Sequence, residues 1–200
     1  MRLTIPLLVV ALSGPAYMQT AGRPDPTTPK TRGGEPRSLV VNFTASADRF
    51  RDATAEYQGI WAREGARIVA AMERATGLAF EPGPIEVSIY EGVSFSGSPS
   101  GRPMQLRASY PEPTKRATLV HELAHRLASD VPFKGEHHEL IFLFLYDVWV
   151  DLWGQAFADE QVKIESLRKG IVDYDGIWKT TLAMTAAERT RRFQEIVRAK

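Results

Sequence analysis

Cysteine is absent from the 200-residue chain, which excludes disulfides, thiolate metal sites and a cysteine nucleophile. Histidine is scarce, with four residues in all. Neither sign of charge is in excess, since 25 lysines and arginines face 24 aspartates and glutamates, and we therefore expect no nucleic-acid partner. The sequence also lacks an uninterrupted apolar run of the roughly 20 residues that a bilayer requires, so we expect no membrane span after removal of a signal.

The N-terminus has the pattern of an export signal. Arg2 precedes a short apolar run that is followed by small residues, as at a cleavage site. We therefore predict a signal peptide at residues 1–21 and a secreted or periplasmic protein. Residues 22–38 are rich in proline and glycine and are predicted to be a flexible spacer, and residues 39–200 are predicted to form a single domain.

Apolar periodicity predicts an α+β fold for this domain. Strands are predicted near residues 39–43, 85–89 and 104–109, and helices at residues 48–76, 113–129, 136–154, 155–167 and 186–200. Gly77 is the expected end of the first helix, and Thr185 with Glu188 forms a capping box for the last one. The segment beyond residue 154 is predicted to be scaffold without chemistry.

All of the histidines fall within residues 121–138, beginning with the sequence HELAH. On a helix His121 and His125 are one turn apart on one face, so both can bind one ion at about 2.0–2.1 Å. Glu122 lies beside them, where a carboxylate can take a proton from water. The pattern predicts a metal site. The residues alone leave its third ligand open among Glu136, His137, His138 and Glu139.

The HELAH residues and the helix that follows resemble the zincin metallopeptidases, in particular the compact minimal gluzincins and SprT-like proteins. The resemblance covers about residues 39–154, which we take as the catalytic core. It implies a small mixed sheet packed on a long helix, an HExxH helix, and a following helix that supplies the third ligand. SprT-like proteins place a histidine at the start of that helix with an aromatic residue four positions later. His138 with Phe142 repeats this spacing, so His138 is the expected ligand, ahead of Glu139 and His137.

The resemblance implies a zinc-dependent peptidase in which Glu122 is the general base and a peptide or protein is the substrate. The strand at residues 104–109 is expected to hold an extended peptide by strand addition. The alternative is a non-catalytic binding module that zinc only stabilises. Structural zinc sites favour thiolates, which this chain lacks, and the enzyme is therefore the preferred interpretation.

Four further residues are weaker candidates for the site. Asp147 and Asp151 are one helical turn apart, and one of them could orient a zinc-bound histidine, although structural ion pairs are the more common role of such residues. Tyr110 and Tyr146 are candidates for a donor to the transition state, although packing is the better interpretation for each.

Overall fold

A computed structural model describes residues 39–98 and 101–199 of the chain. Within these residues the chain forms three strands, a 3-10 helix at Asp48–Phe50 and six α-helices, which confirms the α+β class. The strands are β1 (Val41–Ala45), β2 (Ile85–Tyr90) and β3 (Met104–Arg107). The helices are α1 (Arg51–Thr76), α2 (Glu112–Leu127), α3 (His137–Trp153), α4 (Gln155–Ser166), α5 (Tyr174–Leu182) and α6 (Ala186–Arg198). The predicted signal peptide and spacer lie outside the described residues.

The three strands form one parallel sheet in the order β1-β2-β3. Its register pairs Val41 with Ile85, and helix α1 provides the crossover that two parallel strands need. The mixed sheet implied by the resemblance is therefore wrong for these strands. Antiparallel pairing among the described residues is limited to an isolated bridge between Phe95 and Gln105.

Helix α1 packs its apolar face against the sheet and against α3. The fully buried side chains recur at helical spacing and include Tyr57, Ile60, Ile68 and Met72. The helix ends at Gly77 as predicted, because this residue adopts a φ of +71° that glycine tolerates without a Cβ clash. The predicted helix start differs in detail, since its first three residues form the 3-10 helix.

Helix α3 lies at the centre of the domain and contacts α1, α2, α4, α5 and α6. Every side chain from Leu140 to Leu145 is at most 3% exposed. This burial on all sides explains why the sequence of α3 is apolar almost throughout. None of the helices in the described residues combines the length and the apolar character that a membrane crossing requires.

Two aspartates on α3 form ion pairs with arginines of other helices. Asp147 accepts hydrogen bonds of 2.9 and 2.6 Å from Arg189 on α6, and the side chain of Arg189 is 6% exposed. Asp151 accepts a bond of 2.6 Å from Arg74 on α1, with both side chains more exposed. Both aspartates are therefore structural, which confirms the preferred interpretation, and neither of them orients a histidine of the HELAH region.

The C-terminal helices complete the core. The predicted capping box at the start of α6 is confirmed, with the amide of Thr185 donating to Glu188 at 2.7 Å and the reciprocal bond at 3.3 Å. Helix α5 is an addition to the predicted elements. It packs on α3 through Trp178, whose ring stacks on Phe142 with centroids 3.7 Å apart.

Candidate metal centre

Helix α2 positions the HELAH residues against the core. It begins at Glu112, and Pro113 is tolerated in the first turn, where amides lack helical partners. His121 and Glu122 are 1% and 4% exposed, and the rings of His121 and His125 have centroids 5.1 Å apart. The uncharged residues around the motif thus lie on the buried side of α2.

Three histidines converge on one point. Three ring nitrogens, one each from His121, His125 and His138, lie within 4.8 Å of one another. Nε2 of His125 is 3.2 Å from Nε2 of His138. Two nitrogens that bind one tetrahedral zinc ion at about 2.0–2.1 Å lie about 3.3 Å apart. Because donor type and spacing both fit, this three-histidine group could hold a divalent metal ion.

Among the described residues, the other candidates for the third ligand are not part of the three-histidine group. Nδ1 of His137 is 2.7 Å from Nδ1 of His125, and the carboxylate of Glu139 turns back towards Gly135. His138 is held near the group by the start of α3, where its ring also meets Phe142 with centroids 5.5 Å apart. Among the described residues, His138 is thus the candidate that joins His121 and His125.

Each ring of the three-histidine group has a partner at its Nδ1 nitrogen. The partners are Glu165 for His121 at 2.8 Å, Glu136 for His138 at 2.8 Å and His137 for His125 at 2.7 Å. An imidazole that donates from Nδ1 keeps its proton there, which leaves the lone pair of Nε2 for a metal. The hydrogen bonds therefore favour metal binding through Nε2 at His125 and His138, and the carboxylate charge of Glu165 acts in the same direction on His121.

Burial favours the neutral form of His125, His137 and His138. It lowers the pKa of His125, with the neighbouring histidines acting in the same direction. It lowers the pKa of His138 to about 4, although Glu136 opposes the shift. The pKa of His137 is lowered mainly by burial as well. A metal binds only the neutral imidazole, and the lowered pKa values therefore place His125 and His138 in the binding form at neutral pH.

Glu122 is a buried carboxyl group in the same cleft as the three-histidine group. Among the described residues no hydrogen bond reaches it. Burial raises the pKa of Glu122 to about 7, against the opposing effect of His121. A carboxyl group with a pKa near neutrality can both accept a proton and return it.

Glu165 on α4 lies against His121, and its side chain is 3% exposed. Its Oε2 accepts a hydrogen bond of 3.1 Å from Nε1 of Trp178, and its Oε1 lies 3.4 Å from Arg168. Burial alone would raise the pKa of Glu165, but the interactions with His121, Arg168 and Trp178 outweigh it and the pKa is lowered. Glu165 is therefore an ionised carboxylate that lies 2.8 Å from Nδ1 of His121 and acts on this ring through its charge, since the contact lacks the geometry of a hydrogen bond.

Tyr174, the first residue of α5, places its hydroxyl 3.0 Å from Nε2 of His138. Burial is the main cause that raises its pKa to about 12, so the phenol stays protonated and can donate a hydrogen bond. Of the two tyrosines considered from the sequence, Tyr110 lines the cleft. Tyr146 instead donates to Asp159 at 2.7 Å, away from the three-histidine group.

The three-histidine group lies in an open cleft of about 900 Å³. The connection from β2 to β3 and the connection from α4 to α5 both line it. Arg126 on α2 donates to the carbonyl of Ser96 at 2.7 Å and so fixes the first connection to the HELAH helix. Val93 and Ile171 are 83% and 106% exposed, which gives the cleft an apolar rim.

The outer edge of β3 is already paired. The amide and carbonyl of Gln105 bond to Phe95 at 2.8 and 2.9 Å, and the amide of Arg107 donates to Oγ of Ser94 at 3.2 Å. The carbonyl of Arg107 accepts a bond of 3.0 Å from Tyr57. Strand addition at β3, as expected from the resemblance, is therefore wrong, because the outward backbone groups of this edge have partners.

The sequence interpretation missed Glu165, Arg168 and Tyr174, which all line or support the site beyond residue 154. The site thus extends past the predicted catalytic core of residues 39–154. Asp173 could have indicated the start of α5, and with it Tyr174, because aspartate is a common N-cap residue. In the structure it caps α5 by accepting a hydrogen bond of 3.0 Å from the amide of Gly176. Glu165 had no local signal, since a glutamate in an amphipathic helix is usually solvated.

Comparisons of the chain with models of protein families, with curated proteins and with solved structures gave no significant match.

Proposed function

We propose that this chain is an exported zinc metallopeptidase with a zincin-like arrangement, in which the three-histidine group binds the ion. The observation that carries the proposal is Glu122, a buried carboxyl group next to His121 and in the same open cleft, which no hydrogen bond from the described residues reaches. The export pattern at residues 1–21 supports a secreted or periplasmic location.

His121, His125 and His138 would hold zinc through Nε2. A zinc ion held there would supply Lewis acidity towards water and a peptide carbonyl. Glu122 takes a proton from the attacking water and then delivers it to the leaving amine. Its pKa of about 7 suits both steps. The bond that breaks is the C–N bond of the peptide, and the products are a carboxylate and an amine.

Tyr174 is the proposed donor to the oxygen of the reacting carbonyl. Its hydroxyl now contacts Nε2 of His138, which is the nitrogen that a metal requires. Once this nitrogen serves as a ligand, the hydroxyl loses its acceptor and can donate to the substrate. A donor in place before the reaction stabilises the developing negative charge without reorganisation.

A peptide is proposed to bind beside residues 93–96. Because the amide and carbonyl of Phe95 face β3, those of Ser94 point to the opposite side. An extended peptide could pair with the amide and carbonyl of Ser94, whereas the carbonyl of Ser96 already accepts from Arg126. The exposed side chains of Val93 and Ile171 at the rim favour substrates with apolar residues.

Exchange of the general base tests the proposal. Glu122→Gln keeps the shape of the side chain and removes the proton acceptor, so cleavage of a denatured protein or peptide library should fall by about 10²-fold or more. Zinc content and melting temperature should hardly change. Glu139→Gln is the matched control and should retain both zinc and activity.

The non-catalytic zinc module remains the alternative. It predicts that the wild type cleaves nothing in such a library, even after residues 1–38 are removed. That result, with zinc bound and the chain folded, would overturn the peptidase proposal.

A further inference from the structure

His125 and His137 face each other through their Nδ1 nitrogens. These nitrogens are 2.7 Å apart, whereas the ring centroids are 4.9 Å apart and the ring planes differ by 21°. The nitrogens therefore lie between the two ring centres, edge to edge, as in an N–H···N hydrogen bond. Such a contact is separate from the three-histidine group, which does not include His137.

The number of protons on the two rings determines which one donates. A neutral imidazole carries a proton on only one of its two nitrogens. When two ring nitrogens form a hydrogen bond, one of them carries the proton and the other accepts it. Nε2 of His125 points into the three-histidine group, 3.2 Å from Nε2 of His138. If Nε2 of His125 is a metal ligand, the proton of this ring is on Nδ1. His125 then donates and His137 accepts.

We propose that His137 is a positioning residue that fixes the tautomer and the ring orientation of His125. It completes a set of contacts at the Nδ1 nitrogens, in which Glu165 lies against His121, Glu136 against His138 and His137 against His125. All four histidines of the chain then serve one site, three as ligands and one as a support. This inference rests on the metal-binding part of the proposed function and is independent of peptidase activity.

The acceptor role makes a prediction about which side chains can replace His137. Asparagine has a carbonyl oxygen near the position of Nδ1 and can accept the proton of His125. Leucine has a similar bulk and accepts no hydrogen bond. The pair His137→Asn and His137→Leu therefore separates hydrogen bonding from packing.

The test measures zinc affinity by competition titration and the proton positions of His125 by nitrogen NMR in the zinc-loaded full chain. We expect His137→Leu to weaken zinc binding by about 10–100-fold, as lost partners of metal ligands do. His137→Asn should recover most of this loss, and His138→Ala should lose more than either. In the wild type, NMR should show the proton of His125 on Nδ1.

Three results would overturn the proposal. One is an unchanged affinity in His137→Leu, and another is a loss in His137→Asn as large as in His138→Ala, which would make His137 a ligand. The third is a proton on Nε2 of His125 in the zinc-loaded wild type. If His137→Leu fails to fold, the asparagine variant and the wild-type spectrum still decide. A wild type that binds no zinc overturns both proposals, whereas zinc binding without peptidase activity overturns only the function.

Discussion

Tyr174 offers a test of chemistry at a single atom, because Tyr174→Phe removes only the hydroxyl. We expect this variant to lower kcat by about 10²-fold, the scale for a lost donor to a developing oxyanion. Zinc affinity should not fall, since the phenol is not one of the three ligands and its contact with Nε2 of His138 competes with the ion. Steady-state kinetics and metal analysis on the same preparation give both quantities.

Tyr146→Phe is the matched control for this prediction. Its hydroxyl donates to Asp159 and is not part of the cleft, so kcat should not change. A normal kcat in Tyr174→Phe, with only KM altered, would show that Tyr174 packs against the substrate and does not act on the carbonyl.

Individual residues of the site differ in how well the sequence predicts them. His121, Glu122 and His125 follow from helical spacing alone, because residues four apart must share a face. Glu165 acts on His121 across a sequence separation that no local pattern encodes. Its role depends on how α4 packs on α2, which only the folded chain defines.

At the scale of helices, Asp147 and Asp151 provide a matched comparison on α3. Asp147→Ala leaves the buried Arg189 without its carboxylate partner, with the carbonyl of Met184 still accepting from it, and we expect the free energy of unfolding to fall by about 2–4 kcal/mol. Asp151→Ala breaks an exposed pair with Arg74 and should change it by less than about 1 kcal/mol. Urea denaturation of both variants measures the difference.

Zinc affinity should be the same in these two aspartate variants, because neither residue contacts the three-histidine group. A large loss of zinc in Asp147→Ala, in a chain that is still folded, would contradict the structural role assigned to this residue. Equal stability losses in the two variants would show that burial of Arg189 contributes little.

The sequence predicts the larger elements well and their pairing poorly. Helix α1 and helix α3 follow from periodicity and from a long apolar run, and Gly77 sets the end of α1. The direction of the strands depends on tertiary crossovers, so the sheet is parallel where the resemblance implied a mixed one. The occupation of the β3 edge by Phe95 depends on a loop conformation that alternation of side chains does not reveal.

For the whole molecule, removal of zinc should lower stability without unfolding the chain. The largest buried side chains, such as Tyr57, Trp149 and Phe193, are spread through a core that does not depend on the site. Zinc at 100 times its Kd would add about 2.7 kcal/mol. In a domain of this size that corresponds to a shift in Tm of about 5–10 °C.

Calorimetry with and without a chelator measures this shift, and we expect about one zinc per chain in the untreated protein. The chelated chain should keep its far-ultraviolet circular dichroism at room temperature. Complete unfolding on chelation would favour the module in which zinc only stabilises the fold.

Trp178 makes the metal site observable by fluorescence. Its indole N–H donates to Glu165, which in turn contacts His121, so the fluorophore is two contacts away from a ligand. It is 1% exposed, and water therefore contributes little to its emission. Charge placed at His121 should change the field at the indole and so its quantum yield. The arrival of an ion could then be followed in real time without any label, since within the described part of the chain Trp178 is the one of four tryptophans that donates to Glu165.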